Sequence, residues 1–238
     1  MNQLAIIADT HGNSWALSAV LNDIDRREIP DIVNLGDSAD DVLDPAGVVS
    51  LLMDRNVPSI AGNYETHKEG QLSDDQIAWL ESLPKFLEIG DIFCCHGTPS
   101  SDHDELIEDT TLPHTGIASD EIILSRLDGN KHSVILCAHK HVPRCVMLST
   151  GQLVINPGSV GWPAYWNDKP NTHIMEAGSP HARYAILSKS DAGYLVDHVA
   201  VPYDWQTPSA IAAKGGFGER AVAIKTGRMK IPPDEFSR

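Results

Sequence analysis

Five short apolar runs in this chain each stop at a small cluster of acidic, amide or imidazole side chains. "QLAIIADTHG" ends in Asp9 and His11, "DIVNLGD" in Asp37, "VPSIAGNYE" in Asn63, "IFCCHG" in His96, and "VILCAHKH" in His139 and His141. A β-branched apolar run reads as a buried strand, and a polar cluster directly after it reads as the loop where that strand leaves its sheet. Successive clusters lie about 25 to 45 residues apart, roughly one βαβ unit or a modest elaboration of it. In an α/β architecture parallel strands deliver their carboxyl ends to one edge, where such folds place their chemistry. Groups far apart in sequence are therefore expected to converge.

Helical patterns separate the early runs. In "NSWALSAVLNDIDRRE", Trp15, Leu17, Val20, Leu21 and Ile24 recur at helical spacing behind Asn13 or Ser14 as a cap. A second helix is expected to start at Asp44 and Pro45, where the acid caps and the proline suits the first turn. A third, "SDDQIAWLESL", opens with a capping box of Ser73 and Gln76. After Leu83 the texture changes. A hairpin is expected around Gly90, followed by short strands and one helix near Ser119 to Leu127. The tail from Asp204 to Arg238 reads as one or two short helices that pack on the sheet or on a second copy. The whole is read as one domain over 1–238, with a core over about 1–200 and a helical extension over about 204–238.

Charge limits the functions available. The net charge of -15, from 33 acidic against 18 basic residues, argues against a surface that tracks a nucleic-acid backbone. Any phosphate-bearing substrate then needs a local cationic device. The four cysteines (Cys94, Cys95, Cys137, Cys145) form no C-x-x-C, and most lie in apolar runs. That usage suits a reducing cytosol, and no stretch reaches the length of a membrane span. A soluble, cytoplasmic protein is expected. In the acidic segment "SSDHDELIEDTT" and just beyond it, His103 and His114 read as surface residues.

The clustered side chains mix hard oxygen donors with imidazoles and include no thiolate, which points to Mn, Fe, Zn or Ni rather than a structural zinc knot. Seven donors exceed what one tetrahedral ion uses. With one carboxylate shared they divide into two four-donor sets, and two ions about 4 Å apart form a clamp suited to phosphate-ester hydrolysis.

At this point the motifs resemble a family. "DTHG", "GDSAD", "GNYE", "HG" and "AHKH", in that order, look like the signature of the calcineurin-like metallophosphoesterases, and "NPGSVG" at 156–161 is similar to the closing loop of their small bacterial and archaeal phosphodiesterase branch. The resemblance covers residues 3 to about 161. It implies an α/β (α+β) fold, a four-layer αββα sandwich with mixed β-sheets, holding two divalent or trivalent transition-metal ions. It implies that Asp9, His11 and His141 hold the first ion, that Asn63, His96 and His139 hold the second, and that Asp37 bridges them. Asp40 and Glu65 match acidic positions that orient ligands from behind. Asn63, Tyr64 and His96 are then the candidate catalytic residues, and the implied reaction is hydrolysis of small phosphate esters by a hydroxide bridging the ions.

Two departures shape the substrate expectation. Phosphatase branches usually place histidine after the asparagine, to protonate the leaving oxygen. Here it is Tyr64, a phenol that can donate a hydrogen bond but carries no positive charge at neutral pH. A phosphodiester or activated ester, including a nucleotide-like one, is therefore expected over an unactivated monoester. After "NPGSVG" relatives often continue with glutamine, proline and arginine, whereas this chain has Trp162, Pro163 and Ala164, so a cationic contact is missing. The segment "WPAYWNDKPNTH" offers Trp162, Tyr165 and Trp166, with Lys169 and His173, either as a wall that stacks on a planar group or as cover for the sheet edge. The second functional reading is a non-catalytic metal-binding scaffold of the same fold, as the family's retromer subunit is. Retention of every expected ligand favours the enzyme, and a homo-oligomer is left open.

Overall fold

The computed structural model describes residues 3–111, 115–169 and 171–229. The expected surface position of His114 and the end of the tail, 230–238, lie outside the described residues. Strand β1 (Gln3–Ile7) shows how the layers arise, because its side chains alternate between two cores. Ala5 and Ile7 pack against Leu17, Val20, Leu21 and Ile24 of helix α1 (Ser14–Arg26). Leu4 and Ile6 face the opposite way, into a core shared with a second sheet. A strand buried on both faces reads as a continuous apolar run, which is why "LAII" carried no alternation.

The first sheet has the order β13-β12-β1-β2. Strand β2 (Asp31–Asn34) runs parallel to β1. The long hairpin β12 (Ala182–Ser190) and β13 (Gly193–Val201) adds antiparallel strands on the other side. Helix α2 (Pro45–Asp54) joins α1 on the outer face, capped by Asp44 with Pro45 in its first turn. Helix α3 (Asp74–Glu81) packs on α2 and has the Ser73/Gln76 capping box.

The second sheet has the order β3-β4-β7-β9-β8. Strands β4 (Ile92–Cys95), β7 (Val134–Leu136) and β9 (Leu153–Asn156) are parallel; β3 (Phe86–Ile89) and β8 (Arg144–Met147) are its antiparallel edges. Ile92, Cys94, Val134, Leu136 and Ile155 meet the first sheet, while Phe93, Cys95, Ile135, Cys137 and Val154 face helix α4 (Asp120–Arg126) through Ile123. The result is the αββα sandwich with mixed sheets. Two small hairpins lie outside it: β5 (Glu108–Asp109) with β6 (Gly116–Ile117), and β10 (Ala164–Asn167) with β11 (His173–Glu176).

One expectation is corrected. "VPSIAG" forms no strand: Ser59 makes one isolated parallel bridge to Asn34, flanked by Asn34 N–H to Pro58 O and Ile60 N–H to Asn34 O. Pro58 has no N–H to extend the ladder at one end, and at the other the Gly62 N–H bonds Glu65 Oε1 instead of β2. Cys94, Cys95 and Cys137 are buried, as their apolar runs suggest, and Cys145 is exposed on the alternating strand β8.

Two helices close the described chain. Helix α5 (Gln206–Lys214) and helix α6 (Gly218–Thr226) pack together, Ala212 against Ala221 and Ile224, over Val42 and Leu43 in the loop after β2. Ala223 of α6 packs with Ala164 of β10 beside Trp162 and Trp166. Among the described residues no helix is long and apolar enough to cross a membrane.

Candidate metal centre and active site

The ends of β1 and β2 are latched together by backbone hydrogen bonds from Asp9 N–H to Gly36 O, His11 N–H to Asp37 O and Gly12 N–H to Ser38 O. The "NPGSVG" loop braces the same corner, with Ser159 Oγ donating to Asp9 O at 2.8 Å and Gly161 N–H to Asp9 O. In the second sheet Ala138 N–H donates to His96 O, which ties the exits of β4 and β7. The five exits thus come from two sheets and one loop, and they meet at a common edge.

Local backbone strain marks the same residues. Asp9, His11, Asp37, His139 and His141 all have φ between 46° and 68°, and among the described residues only three other non-glycine residues have positive φ. Left-handed backbone costs an L-residue of order 1 kcal/mol, and such strain collects at functional sites. At Gly62 a Cβ would overlap the Asp37 carboxylate, so glycine lets the Asn63 loop approach.

One atom from each of Asp9, His11, Asp37 and His141 fits within a mutual distance of 4.8 Å, and all four residues are buried. His141 Nδ1 donates to Trp162 O at 2.6 Å, so its Nε2 carries the lone pair in the neutral ring. His11 Nδ1 faces Asp40 Oδ2 at 3.4 Å, which directs its Nε2 inward. The two Nε2 atoms stand 3.2 Å apart, with Asp9 Oδ1 3.5 Å from His141 Nε2. Both carboxylate oxygens of Asp9 are buried without a hydrogen-bond donor. Inward-facing nitrogen lone pairs beside an unsatisfied carboxylate are a donor set that fits a cation.

The remaining predicted ligands adjoin this set through Asp37. His96 Nε2 lies 3.4 Å from Asp37 Oδ2, as does His11 Nε2. Asn63 Oδ1 sits 3.0 Å from His96 Nε2 and 2.9 Å from His139 Nδ1. His96 Nδ1 donates to Leu35 O at 2.7 Å, which leaves Nε2 to face the site. Tyr64 contributes its backbone N–H to Asp37 Oδ1 at 2.7 Å, while its ring is 38% exposed and lies against His11. Glu65 accepts the backbone N–H groups of Ser38, Ala39 and Gly62, tying the Asp37 and Asn63 loops together.

Electrostatics follow from burial and crowding. Burial, with the charge of Asp37 adding to it, raises Asp9 well above the usual carboxylate range, against the opposing pull of His96. Burial also raises Asp37, but the His96 charge and hydrogen bond, then His11, outweigh it and hold the carboxyl well below its ordinary value. Burial lowers His96, yet Asp37 and Asp9 lift it to about 10. Burial pushes His139 and His141 well below the normal imidazole range, aided by His96 and His11 respectively. In the metal-free site His96 thus carries a proton that Asp37 and Asp9 attract and that it must release to act as a ligand, whereas His139 and His141 are already neutral.

Residues 2–178 match the model of the calcineurin-like phosphoesterase superfamily domain. The chain belongs to that superfamily. Its membership places this calcineurin-like protein among phosphoesterase hydrolases, and Asp9, His11, Asp37 and His141 form a buried donor set that could hold a metal ion. It is 26% identical to an uncharacterized protein of Methanocaldococcus jannaschii, over 85% of this chain and 88% of the relative. Its fold is similar to that of a metallophosphoesterase from Sphaerobacter thermophilus, with a TM-score of 0.71 at 24% identity over 95% of this chain and 99% of the other. A hypothetical protein of Pyrococcus horikoshii superposes with a TM-score of 0.65 at 18% identity, covering 97% and 100%.

The motifs of this calcineurin-like chain leave out one residue of the site. Arg220 on α6 is 7% exposed, bonds Asp40 Oδ2 at 2.7 Å, and stacks its guanidinium 3.1 Å from the Trp162 ring centroid. Trp162 in turn contacts His11 and His141, and Tyr165 packs on His141. A cation from another part of the chain thus lies against the Trp162 loop. The sequence signal was faint: an arginine beside the apolar stripe of Ala221 and Ile224. Of the aromatic segment's other members, Lys169 lines a polar cavity together with Asn63 and His139, and His173 is buried with Nδ1 on Asn171 O.

Proposed function

We propose that this chain is a dinuclear metal-dependent phosphohydrolase that favours phosphodiesters or activated phosphate esters over unactivated monoesters. The observation that carries this reading is Asp37: one of its oxygens lies 3.4 Å from both His11 and His96 and so joins two donor groups. Asp9, His11, Asp37 and His141 would hold one ion; Asp37, Asn63, His96 and His139 would hold the other. Two bound ions, drawn from Mn, Fe, Zn or Ni, would supply Lewis acidity and an activated water.

The chain's own residues do the rest. Asp40 orients His11 from behind, and the carbonyls of Leu35 and Trp162 fix the tautomers of His96 and His141. Asn63 and His139 also line a polar cavity of about 860 Å³ that includes Glu105, Arg126, Lys140 and Lys169, a place for a small phosphate ester beside the metal centre. Tyr64, with its pKa raised by burial and by the charge of Asp40, stays protonated, so it offers a neutral donor where a monoesterase would use imidazolium. That favours leaving groups that depart without a strong acid. The reading treats residues 1–238 as one domain whose C-terminal extension belongs to the site.

The test is metal analysis with turnover of bis(4-nitrophenyl) phosphate and 4-nitrophenyl phosphate, on protein reconstituted with each metal. Two ions per chain and faster diester cleavage are expected. Two ions with no turnover of either ester would instead make the protein a metal-binding scaffold.

A further inference from the structure

A second cavity, of about 490 Å³, opens on the opposite flank of the metal centre, between α6 and the loops carrying Tyr64 and Trp162. Its walls include Tyr64, Trp162, Trp166 and Phe217. Tyr64 and Trp162 also touch the His11 ring, at centroid distances of 5.7 and 4.8 Å, so the cavity begins where the candidate ligands end. Trp166 Nε1 donates to Glu219 at 2.9 Å, which fixes that ring against α6, while Phe217 is 39% exposed at the mouth.

Arg220 also lines this cavity. One of its guanidinium nitrogens, Nη2, is engaged by Asp40, but Nη1 is buried with no hydrogen-bond partner. An unsatisfied buried donor on a charged group is costly, and an anionic oxygen that entered the cavity and displaced the side chains now covering Nη1 would satisfy it. The desolvated position strengthens that contact relative to one on the surface.

We propose that this cavity is a substrate subsite for a planar aromatic group carried by the phosphate ester, stacked among Tyr64, Trp162, Trp166 and Phe217, with Arg220 Nη1 contacting an anionic oxygen. The proposal rests on the phosphohydrolase reading and adds the chemical class of the ester's organic part. Aromatic faces hold planar groups by stacking, and an arginine already stacked on indole is rigid enough to donate in a fixed direction. The subsite uses a residue of the C-terminal extension, so the motif-bearing core alone does not form it.

The experiment is a binding measurement on metal-loaded protein that needs no turnover. Phenyl phosphate, adenosine 5'-monophosphate and inorganic phosphate are titrated separately, followed by tryptophan fluorescence and calorimetry. At least one aromatic phosphate should bind about tenfold more tightly than inorganic phosphate, and which one does so separates an aryl from a nucleobase ligand. Phe217→Ala should shrink that preference at least fivefold, and Arg220→Lys should weaken all three ligands when samples of equal metal content are compared. Arg220→Met leaves Asp40 unpaired, so the lysine variant keeps the test open if the methionine one fails to fold. Equal affinity for aromatic and inorganic phosphate, or a preference indifferent to Phe217→Ala, overturns the subsite. Preferential binding without hydrolysis of any ester would preserve the subsite and remove the phosphohydrolase reading; hydrolysis without the preference would do the reverse.

Discussion

The two donor groups that meet at Asp37 are built differently. Asp9, His11 and His141 are buried, stand on left-handed backbone and are braced by the "NPGSVG" loop, with Asp40 and the Trp162 carbonyl behind them. Asn63, on the other side, comes from a loop that never becomes a strand, is only partly buried, and faces the polar cavity. The first group lies wholly in a buried pocket; the second shares that burial at His96 and the left-handed backbone at His139, but depends on an amide held by neighbouring loops. A rigid site fixes its ion more tightly, while an accessible one lets an ion and a substrate exchange.

The most severe way to break this comparison is to remove the shared residue. Asp37→Asn should cost both ions and lower turnover by at least about 10³-fold, since a neutral amide cannot neutralise two adjacent cations. A variant that keeps two ions per chain and near-normal turnover would refute the ligand assignment.

Removing one residue from each side sharpens it. Asn63→Ala should release one ion and leave the second measurable by metal analysis, whereas Asp9→Asn should weaken retention of the ion in the rigid pocket. The two variants should also differ in the metal-free protein. Asp9 presents a buried carboxylate with no donor, so Asp9→Asn should raise metal-free stability by about 1–3 kcal/mol, or roughly 2–10 °C in Tm. It should also abolish much of the Tm gain on adding metal. Asn63→Ala should lower Tm in both states. Chelation of the wild type should lower Tm, by an amount that grows with the free-metal concentration used in the loaded sample.

A third variant probes the accessible side. Tyr64→His should add an imidazolium donor near the centre and raise turnover of alkyl diesters about tenfold, with a much smaller effect on aryl diesters, as a positioned acid acts mainly on basic leaving groups. Tyr64→Phe gives the matching control for ring packing on His11. Equal changes on both leaving groups at constant metal content would argue against an acid at this position.

What the sequence revealed follows the same division. Asp9, His11, Asp37, His96, His139 and His141 each directly follow an apolar strand, so a local pattern located them, and parallel pairing explained why they gather. Asn63 was found by its motif although its strand is absent: Pro58 interrupts the ladder after a single bridge. Arg220 could not be found that way. It pairs with an aspartate 180 residues earlier, through packing of α6 that depends on Ala223 against Ala164 and on Ile224 over Val42. Its surrounding residues "GERAVAIK" carry ordinary helix composition and no motif. Side chains placed by local chain exits were legible; those placed by docking of one layer on another were not.

Comparing stability among these variants requires the part of the pH dependence that neither donor group causes, and Asp23 on α1 supplies a measurable piece of it. Burial raises its pKa, but hydrogen bonds from Arg27 and Tyr184 outweigh that effect and hold it below the ordinary carboxylate value. A depressed folded-state pKa means stabilisation that is fully present above the unfolded value, near 3.9, and is lost as pH falls through the lower folded value. Tyr184 Oη donates to Asp23 Oδ2 at 2.8 Å from a fully buried position, bridging β12 to α1. Tyr184→Phe should therefore cost about 1–2 kcal/mol at neutral pH, a Tm shift of roughly 2–8 °C. The difference from wild type should narrow as pH falls through the lowered folded-state value, where the Asp23 carboxyl becomes neutral in both states and the hydrogen bond loses its charge assistance. Thermal melts of both proteins from pH 2.5 to 7 check this, and a Tm difference that stays constant into acid would show that Tyr184 acts by packing alone.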